Sequence, residues 1–246
     1  MDVTVPPQGG RPPGRSASPF PATPPLLEQG QLHEVHCRAQ DRAAAFAFAL
    51  TRGQWARDGD LFLLRVPGKS RLPFCFSGEG LALLGLEPQR LTIVEPASEI
   101  GLLRAALDAA RCPGVAAVLM DSEGRFADYD LTASRRLVLA AEASRACVLL
   151  LRVEAEPRAS AAQTRWSISS APSVPLAADA PGWPAIDAQL LRRRGGPAAG
   201  PWRLIWDAEH GRFEDADRRA AMPGAVVPLP SLRTDTADGP GQRHVA

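Results

Sequence analysis

The stretch LHEVHCRAQDRAAAFAFAL, Leu32 to Leu50, joins a short alternating run to an apolar helix through a tight connection. Such a turn aims the unpaired N–H groups of the helix start at whatever anion lies beyond the strand. A phosphate-binding loop there needs glycines to curl the backbone and a Gly-Lys-Ser/Thr ending. Here the connection reads Cys-Arg-Ala-Gln-Asp-Arg-Ala-Ala. The only Gly-Lys-Ser lies elsewhere, in LLRVPGKSRLPF, where Leu63 holds the place of the motif's first glycine and Pro73 opposes a following helix. Lys69 therefore reads as a solvated loop lysine.

Other clusters carry similar partial signals. Gly78-Glu79-Gly80 begins like G-x-G-x-x-G, but Leu83 occupies the third position, so the stretch reads as a turn feeding a short helix. His33-Glu34-Val35-His36-Cys37 has metal-ligand chemistry, yet on a strand His33 and His36 point to opposite faces, and they read as ordinary strand residues. Asp121-Ser122 directly follows VAAVLM. A carboxylate at the carboxyl end of a buried parallel strand can hold magnesium beside a nucleotide, or it can mark where the strand leaves the core. Both readings stand. Arg192-Arg193-Arg194, beside Gly195-Gly196, could meet a phosphate backbone or lie solvated at a hairpin. No serine sits in G-x-S-x-G, and no catalytic residue, cofactor or metal is assigned.

The elements that would position these groups alternate. The expected strands are Leu32–His36, Asp60–Val66, Leu91–Val94, Val115–Met120, Cys147–Val153, Arg165–Ser170, Ile186–Arg192 and Trp202–Trp206. The expected helices are Asp41–Thr51 with Asp41 as N-cap, Gly80–Leu84, Ala97–Arg111, and Thr132–Arg145 capped by Asp130 or Thr132. Continuously apolar strands between helices indicate an α/β fold with a mostly parallel sheet covered on both faces. The last two strands, around Gly195-Gly196, suggest an antiparallel hairpin at one edge.

Composition sets the bounds. The chain has 246 residues, 45% of them apolar, with a formal net charge of +1. That balance gives no global attraction to nucleic acid or an anionic membrane. Cys37, Cys75, Cys112 and Cys147 form no C-x-x-C pair and read as buried free thiols in a reducing compartment. No apolar run approaches the ~18–20 residues of a membrane span, and the N-terminus has no leader-like apolar region, so a cytoplasmic protein is expected. Residues 1–29 and 208–246 are rich in Pro, Gly and charge and are expected to be disordered, flanking one domain over 30–207. In the C-terminal segment Phe213, Met222, Val226, Val227, Leu229 and Leu232 are isolated apolar anchors. They suit either a motif that orders on a partner or a plain solvated tail.

Laid in chain order, these pieces resemble the RecA core: a strand, loop and helix at the phosphate-loop position, a helix ending in Leu-Gly before a strand, VAAVLMDS, a late helix and strand over Ala159–Ser170, and a closing hairpin. More narrowly, LHEV, GLALLGLEPQRLTIV, LTASRRLVLAAEAS, LLLR, SAAQTRWSISSAPS, and LLRRRGG with PWRLIWD resemble the ImuA family, RecA-like accessory proteins of bacterial damage-induced mutagenesis. The resemblance spans Leu32 to Asp207. It implies a RecA-like three-layer sandwich and a cytoplasmic role in the SOS response, on the nucleoid after DNA damage. The implied partners are a Y-family-like polymerase protein (ImuB), an error-prone replicative polymerase and RecA, in translesion synthesis.

Carried across residue by residue, the RecA phosphate-loop lysine falls on Ala43, its Ser/Thr on Ala44, and its glycines on Cys37 and Arg42. Pro67, Gly68 and Lys69 stand where a water-activating glutamate would be, and only Asp121 survives. A triphosphate needs curled amides and a lysine on its outer phosphates. The resemblance therefore implies a degenerate phosphate loop and a non-catalytic, protein-binding adaptor. A SulA-like inhibitor of cell division, acting by protein binding, is the alternative, and an active ATPase is disfavoured. The partner or DNA-binding candidates are Arg192, Arg193, Arg194, Val226, Val227, Leu229, and Arg135 and Arg136 on the fourth helix.

Overall fold

The computed structural model describes residues 23–53, 59–69, 76–173 and 180–216. Cys75, Val226, Val227 and Leu229 lie outside these residues, as do residues 1–22 and 217–246. The strands are β1 (Leu32–Cys37), β2 (Asp60–Arg65), β3 (Leu91–Val94), β4 (Val115–Glu123), β5 (Cys147–Val153), β6 (Thr164–Ala171), β7 (Ala185–Arg193), β8 (Ala199–Asp207) and β9 (Arg212–Asp215). The helices are α1 (Arg42–Thr51), α2 (Gly78–Leu83), α3 (Glu99–Ala109) and α4 (Leu131–Ser144).

All nine strands form one sheet in the order β3-β2-β4-β5-β1-β6-β7-β8-β9. The pairs from β3 through β6 are parallel, and those from β6 through β9 are antiparallel. The mixed α/β sheet is thus mostly parallel and ends in an antiparallel extension that includes the expected β7–β8 hairpin.

The side-chain period of two divides each strand between two cores. Leu61 and Leu63 of β2, with Ala117 and Leu119 of β4, face α1 and α2. Leu64, Val118 and Met120 face α3 and α4. Because helices cover both faces, β4 is buried along nearly its whole length and reads as an unbroken apolar run. In β7 and β8 buried and more exposed positions alternate instead. One face of that extension meets a cluster of large rings, in which Trp166 lies between Phe48 and Trp202 and Trp206 packs on Phe213.

Local chemistry explains where elements begin. The Ser77 hydroxyl accepts from Gly80 N, so α2 starts at Gly78, earlier than expected. Ser98 does the same for Gly101 N and starts α3, and Asp130 for Ala133 N and starts α4. Asp41 occupies the N-cap position of α1 but does not cap it; its carboxylate accepts from Ser170 N at 2.8 Å and ties the helix start to β6. Strand β4 runs to Glu123, three residues past the expected end, because Asp121, Ser122 and Glu123 pair with Leu151, Arg152 and Val153.

Three expectations are corrected. No helix forms over Ala159–Gln163; the chain crosses from β5 to β6 as an irregular segment. The sheet continues past Asp207 into β9, with Phe213 buried in the core, so the folded unit reaches beyond the expected boundary. Residues before Gly30 also belong to the fold: Leu27 is buried and bridges Gly53, and Arg52 donates to the carbonyls of Pro24 and Pro25.

Leu27 lies in the same core as Val35, Phe48 and Leu50. Leu27→Ala is therefore expected to lower unfolding free energy by about 2–4 kcal/mol. Urea denaturation of the full chain measures it, and a loss below about 0.5 kcal/mol, as at a typical surface site, would contradict the packing.

Candidate functional site

The carboxyl ends of β1 and β4 open on the same edge of the sheet, where α1 begins. Asp121 and Glu123 are two residues apart on β4, so both point to the α1 side. Arg42, the first residue of α1, reaches across to them. Its Nη2 donates to Asp121 Oδ2 at 2.5 Å and its Nη1 to Glu123 Oε2 at 3.0 Å. All three side chains are nearly inaccessible to water. Burial pushes the Asp121 carboxyl upward, with Arg42 and Arg65 pulling against it. A charge buried at this depth requires a partner, and Arg42 supplies it from within the chain.

Part of the loop backbone is engaged as well. After β1 the backbone makes one 3-10 turn, Ala39–Asp41, with extended Arg38 before it. Ala39 N donates to the Glu154 carboxylate at 2.8 Å, and Glu154 N donates to Cys37 O. The chain's own carboxylate thus takes an amide proton that an external anion would need. Ala43 is exposed and Ala44 packs partly against the core, so neither offers a polar group. Around the ion pair, Lys69 binds Glu99 at 2.9 Å and Arg65 binds Glu95 at 2.8 Å. The cavity they leave holds about 30 Å³. Pockets for small molecules run to about 300–1,000 Å³, so this cavity has room for water and not for a nucleotide, whereas an open groove beside the same loop, lined by His36, Cys37, Arg38, Asp41 and Glu154, holds about 640 Å³.

A second buried network lies on the opposite face. Glu34 accepts from Tyr129 Oη at 2.7 Å and from Arg165 Nε at 2.5 Å, and His36 Nε2 lies 3.6 Å away. Arg165 also donates to Ser160 Oγ and to Arg158 O, and Arg192 Nη1 to Ser160 O at 3.2 Å. Ala161 N donates to Ser134 Oγ of α4 at 3.0 Å. Side chains thereby hold the helix-free β5–β6 crossing in place. Burial pushes the Glu34 carboxyl upward, but hydrogen bonds from His36, Ser160 and Arg165, with the charge of Arg165, carry it down to about 2.

The expected site residues separate into groups. His33 is buried, with Nδ1 against Thr164 Oγ1 at 2.7 Å and Nε2 against Glu28 O at 3.1 Å, and makes no ligand set with His36. Cys37 is half-buried, its thiol pushed up to about 12 by burial, and Cys147 is buried. Cys112 is exposed, contrary to expectation, because it follows the end of α3. Arg135, Arg192 and Arg194 line one groove beside α4, whereas Arg136 lines another, between α3 and α4. Asp207, Glu209 and His210 carry ligand atoms within 4.8 Å of one another, but Asp207 already accepts from the amides of Glu209 and His210 and pairs with His210 Nδ1, as an ordinary turn does. Sequence reasoning missed Glu123, Glu154 and the Glu34–Tyr129–Arg165 set. Glu123 was legible in principle from its two-residue spacing to Asp121. The others join segments distant in the chain.

No protein-family model and no curated protein matches the chain. Among solved structures, SulA from Pseudomonas aeruginosa aligns at 18% identity and a TM-score of 0.38, covering 50% of this chain and 97% of that one. A likeness that distant assigns neither fold nor role. No helix among the described residues is long and apolar enough to cross a membrane.

Two buried groups on β1 contribute to the acid response. Burial lowers the His33 imidazole to about 4 from 6.5, so the unfolded chain takes a proton before the fold does and stability falls as pH drops through that window. Glu34, lowered from 4.5 to about 2, contributes stability above the upper value that is lost as pH falls toward the lower one. Unfolding free energy measured against pH should therefore decline by about 1.4 kcal/mol per pH unit per proton across these windows. Glu34→Gln should flatten the lower window and leave the upper one; an unchanged profile would contradict the assignment.

Proposed function

We propose that this protein is a non-catalytic, RecA-like adaptor of the ImuA type. In this reading it retains the strand–loop–helix scaffold of a phosphate loop and uses it structurally. It works in damage-induced translesion synthesis by binding a Y-family-like polymerase protein and an error-prone replicative polymerase, with RecA as a further contact. The ordered series of motifs from LHEV to PWRLIWD is what suggests the family.

The observation that carries the non-catalytic part is the Arg42 bridge to Asp121 and Glu123. Phosphoryl transfer needs preorganised positive charge and a metal ion around the outer phosphates. Here the guanidinium is spent on the carboxylate that could hold the metal. The neighbouring lysine is paired with Glu99, and Ala39 N–H with Glu154. In this reading the chain acts by recognising other proteins through its surface.

The full chain is expected to show no turnover of magnesium ATP above the uncatalysed background, with or without single-stranded DNA. From damage-treated cells, affinity-tagged full chain is expected to retain polymerase subunits. ATP turnover abolished by Asp121→Ala would overturn the non-catalytic reading. Retention of the cell-division machinery in place of polymerases would overturn the adaptor reading.

A further inference from the structure

Two grooves flank α4, and their charges differ. The groove toward α3 is mixed: Arg104 and Arg136 face Asp128 and Asp130. The groove toward β7 encloses about 460 Å³ and is lined by Arg135, Arg192 and Arg194 against a single carboxylate, Glu142. The guanidinium groups of Arg135 and Arg194 make no ion pair among the described residues. Among the described residues Arg192 donates to the carbonyls of Ser160 and Ala162, which orient it without a carboxylate to pair its charge.

Between these arginines the helix presents apolar side chains. Leu139 is 65% exposed and Leu131 40%, with Val138 half-buried beside them. Leu131, Arg135 and Leu139 are spaced by one helical turn each and so form a single stripe. The opposite wall is firm. Ser160 and Ala161 are pinned by Arg165 and by Ser134 of α4, and Arg194 N bonds Gln163 O. The groove is therefore preformed, which reduces the ordering cost of binding.

We propose that this groove docks an acidic segment of a partner protein that carries apolar anchors. Its leucine-type side chains would cover Leu131, Val138 and Leu139, and its carboxylates would pair with Arg135, Arg192 and Arg194. Protein is favoured over nucleic acid because a phosphate backbone offers nothing to cover two exposed leucines set between the charges. The proposal deepens the adaptor reading and rests on it for the existence of a protein partner. Affinity falls with salt, because the attractive part of the contact is charge pairing at a wet rim.

The probe is a fluorescein-labelled peptide of about 14 residues, matching the ~21 Å length of α4, with leucines at helical i, i+3, i+4, i+7 spacing and glutamates between. Anisotropy is measured with the full chain against this peptide, its lysine-for-glutamate counterpart, and single-stranded DNA. The acidic peptide is expected to bind at least about tenfold more tightly than the lysine form, and to weaken by about tenfold in Arg135→Glu/Arg194→Glu and severalfold in Leu139→Ser. All three side chains are exposed, so the variants should keep the wild-type melting midpoint, which is checked by circular dichroism.

Equal binding of the two peptides, or loss unrelated to these variants, overturns the proposal. Tighter binding of DNA that is lost in the same charge-reversal variant also overturns it, as does a self-dimer of the chain dissolved by that variant. The tagged variants then separate this claim from the adaptor reading. If polymerase subunits bind wild type and Arg135→Glu/Arg194→Glu alike, the groove assignment falls and the adaptor stands. If the acidic peptide binds the groove but no polymerase subunit binds the chain, the adaptor reading falls and the groove stands.

Discussion

Two carboxylates buried at the end of a parallel strand cannot remain there uncompensated, and Arg42 is the group that compensates them. The interaction fixes the start of α1, which follows β1, against the end of β4, across β5, which lies between β1 and β4 in the sheet. It also decides what the crevice can do. Open α/β sheets place ligands outside the carboxyl ends of their strands. In this chain that position is filled by an internal ion pair, and the amide of Ala39 is committed to Glu154. Binding there would first require breaking contacts that keep buried charges neutralised, a step that costs several kcal/mol per charge exposed to loss of its partner.

The same device, a buried carboxylate held by an arginine, recurs on the other face. Glu34 sits in the middle of β1 and gathers Tyr129 from the β4–α4 connection and Arg165 from β6. Arg165 in turn holds Ser160, and Ser160 with Ser134 fixes the crossing that carries the chain from β5 to β6 without a helix. This explains how an irregular segment can stay ordered over a sheet face: its backbone groups are met by side chains rather than by a helical ladder. It also explains why the groove between α4 and β7 has a firm wall, since that wall is this crossing.

Much of the sheet was legible in the sequence. Cys147–Val153 and Leu91–Val94 were read with their observed limits, and the other six expected strands within three residues at each end, whereas β9 was not read at all because its short run lies among polar tail residues. Less legible were features that depend on distant partners. Strand β4 continues through Asp121 and Glu123 because β5 pairs with them and Arg42 neutralises them, and neither fact is local. Residues Ala159–Gln163 have helix-compatible composition, yet side-chain bonds to Arg165 and Ser134 favour another path. Phe213 and Leu27 look like isolated apolar residues in polar tails, and only the ring cluster and the α1 core show why they are buried. Arg135, Arg192 and Arg194 were each visible as basic residues, but their meeting in one groove depends on α4 lying beside β7.

The most direct measurement is the equilibrium unfolding free energy of Arg42→Leu, alone and combined with Asp121→Asn and Glu123→Gln. Removing Arg42 alone should cost about 3–5 kcal/mol, because two carboxylates lose their buried partner. In the charge-neutralised background the same substitution should cost less than about 1 kcal/mol, since buried ionic sets replaced together are often close to neutral. An Arg42→Leu penalty that is small, or equal in both backgrounds, would contradict the claim that this ion pair fills and closes the site.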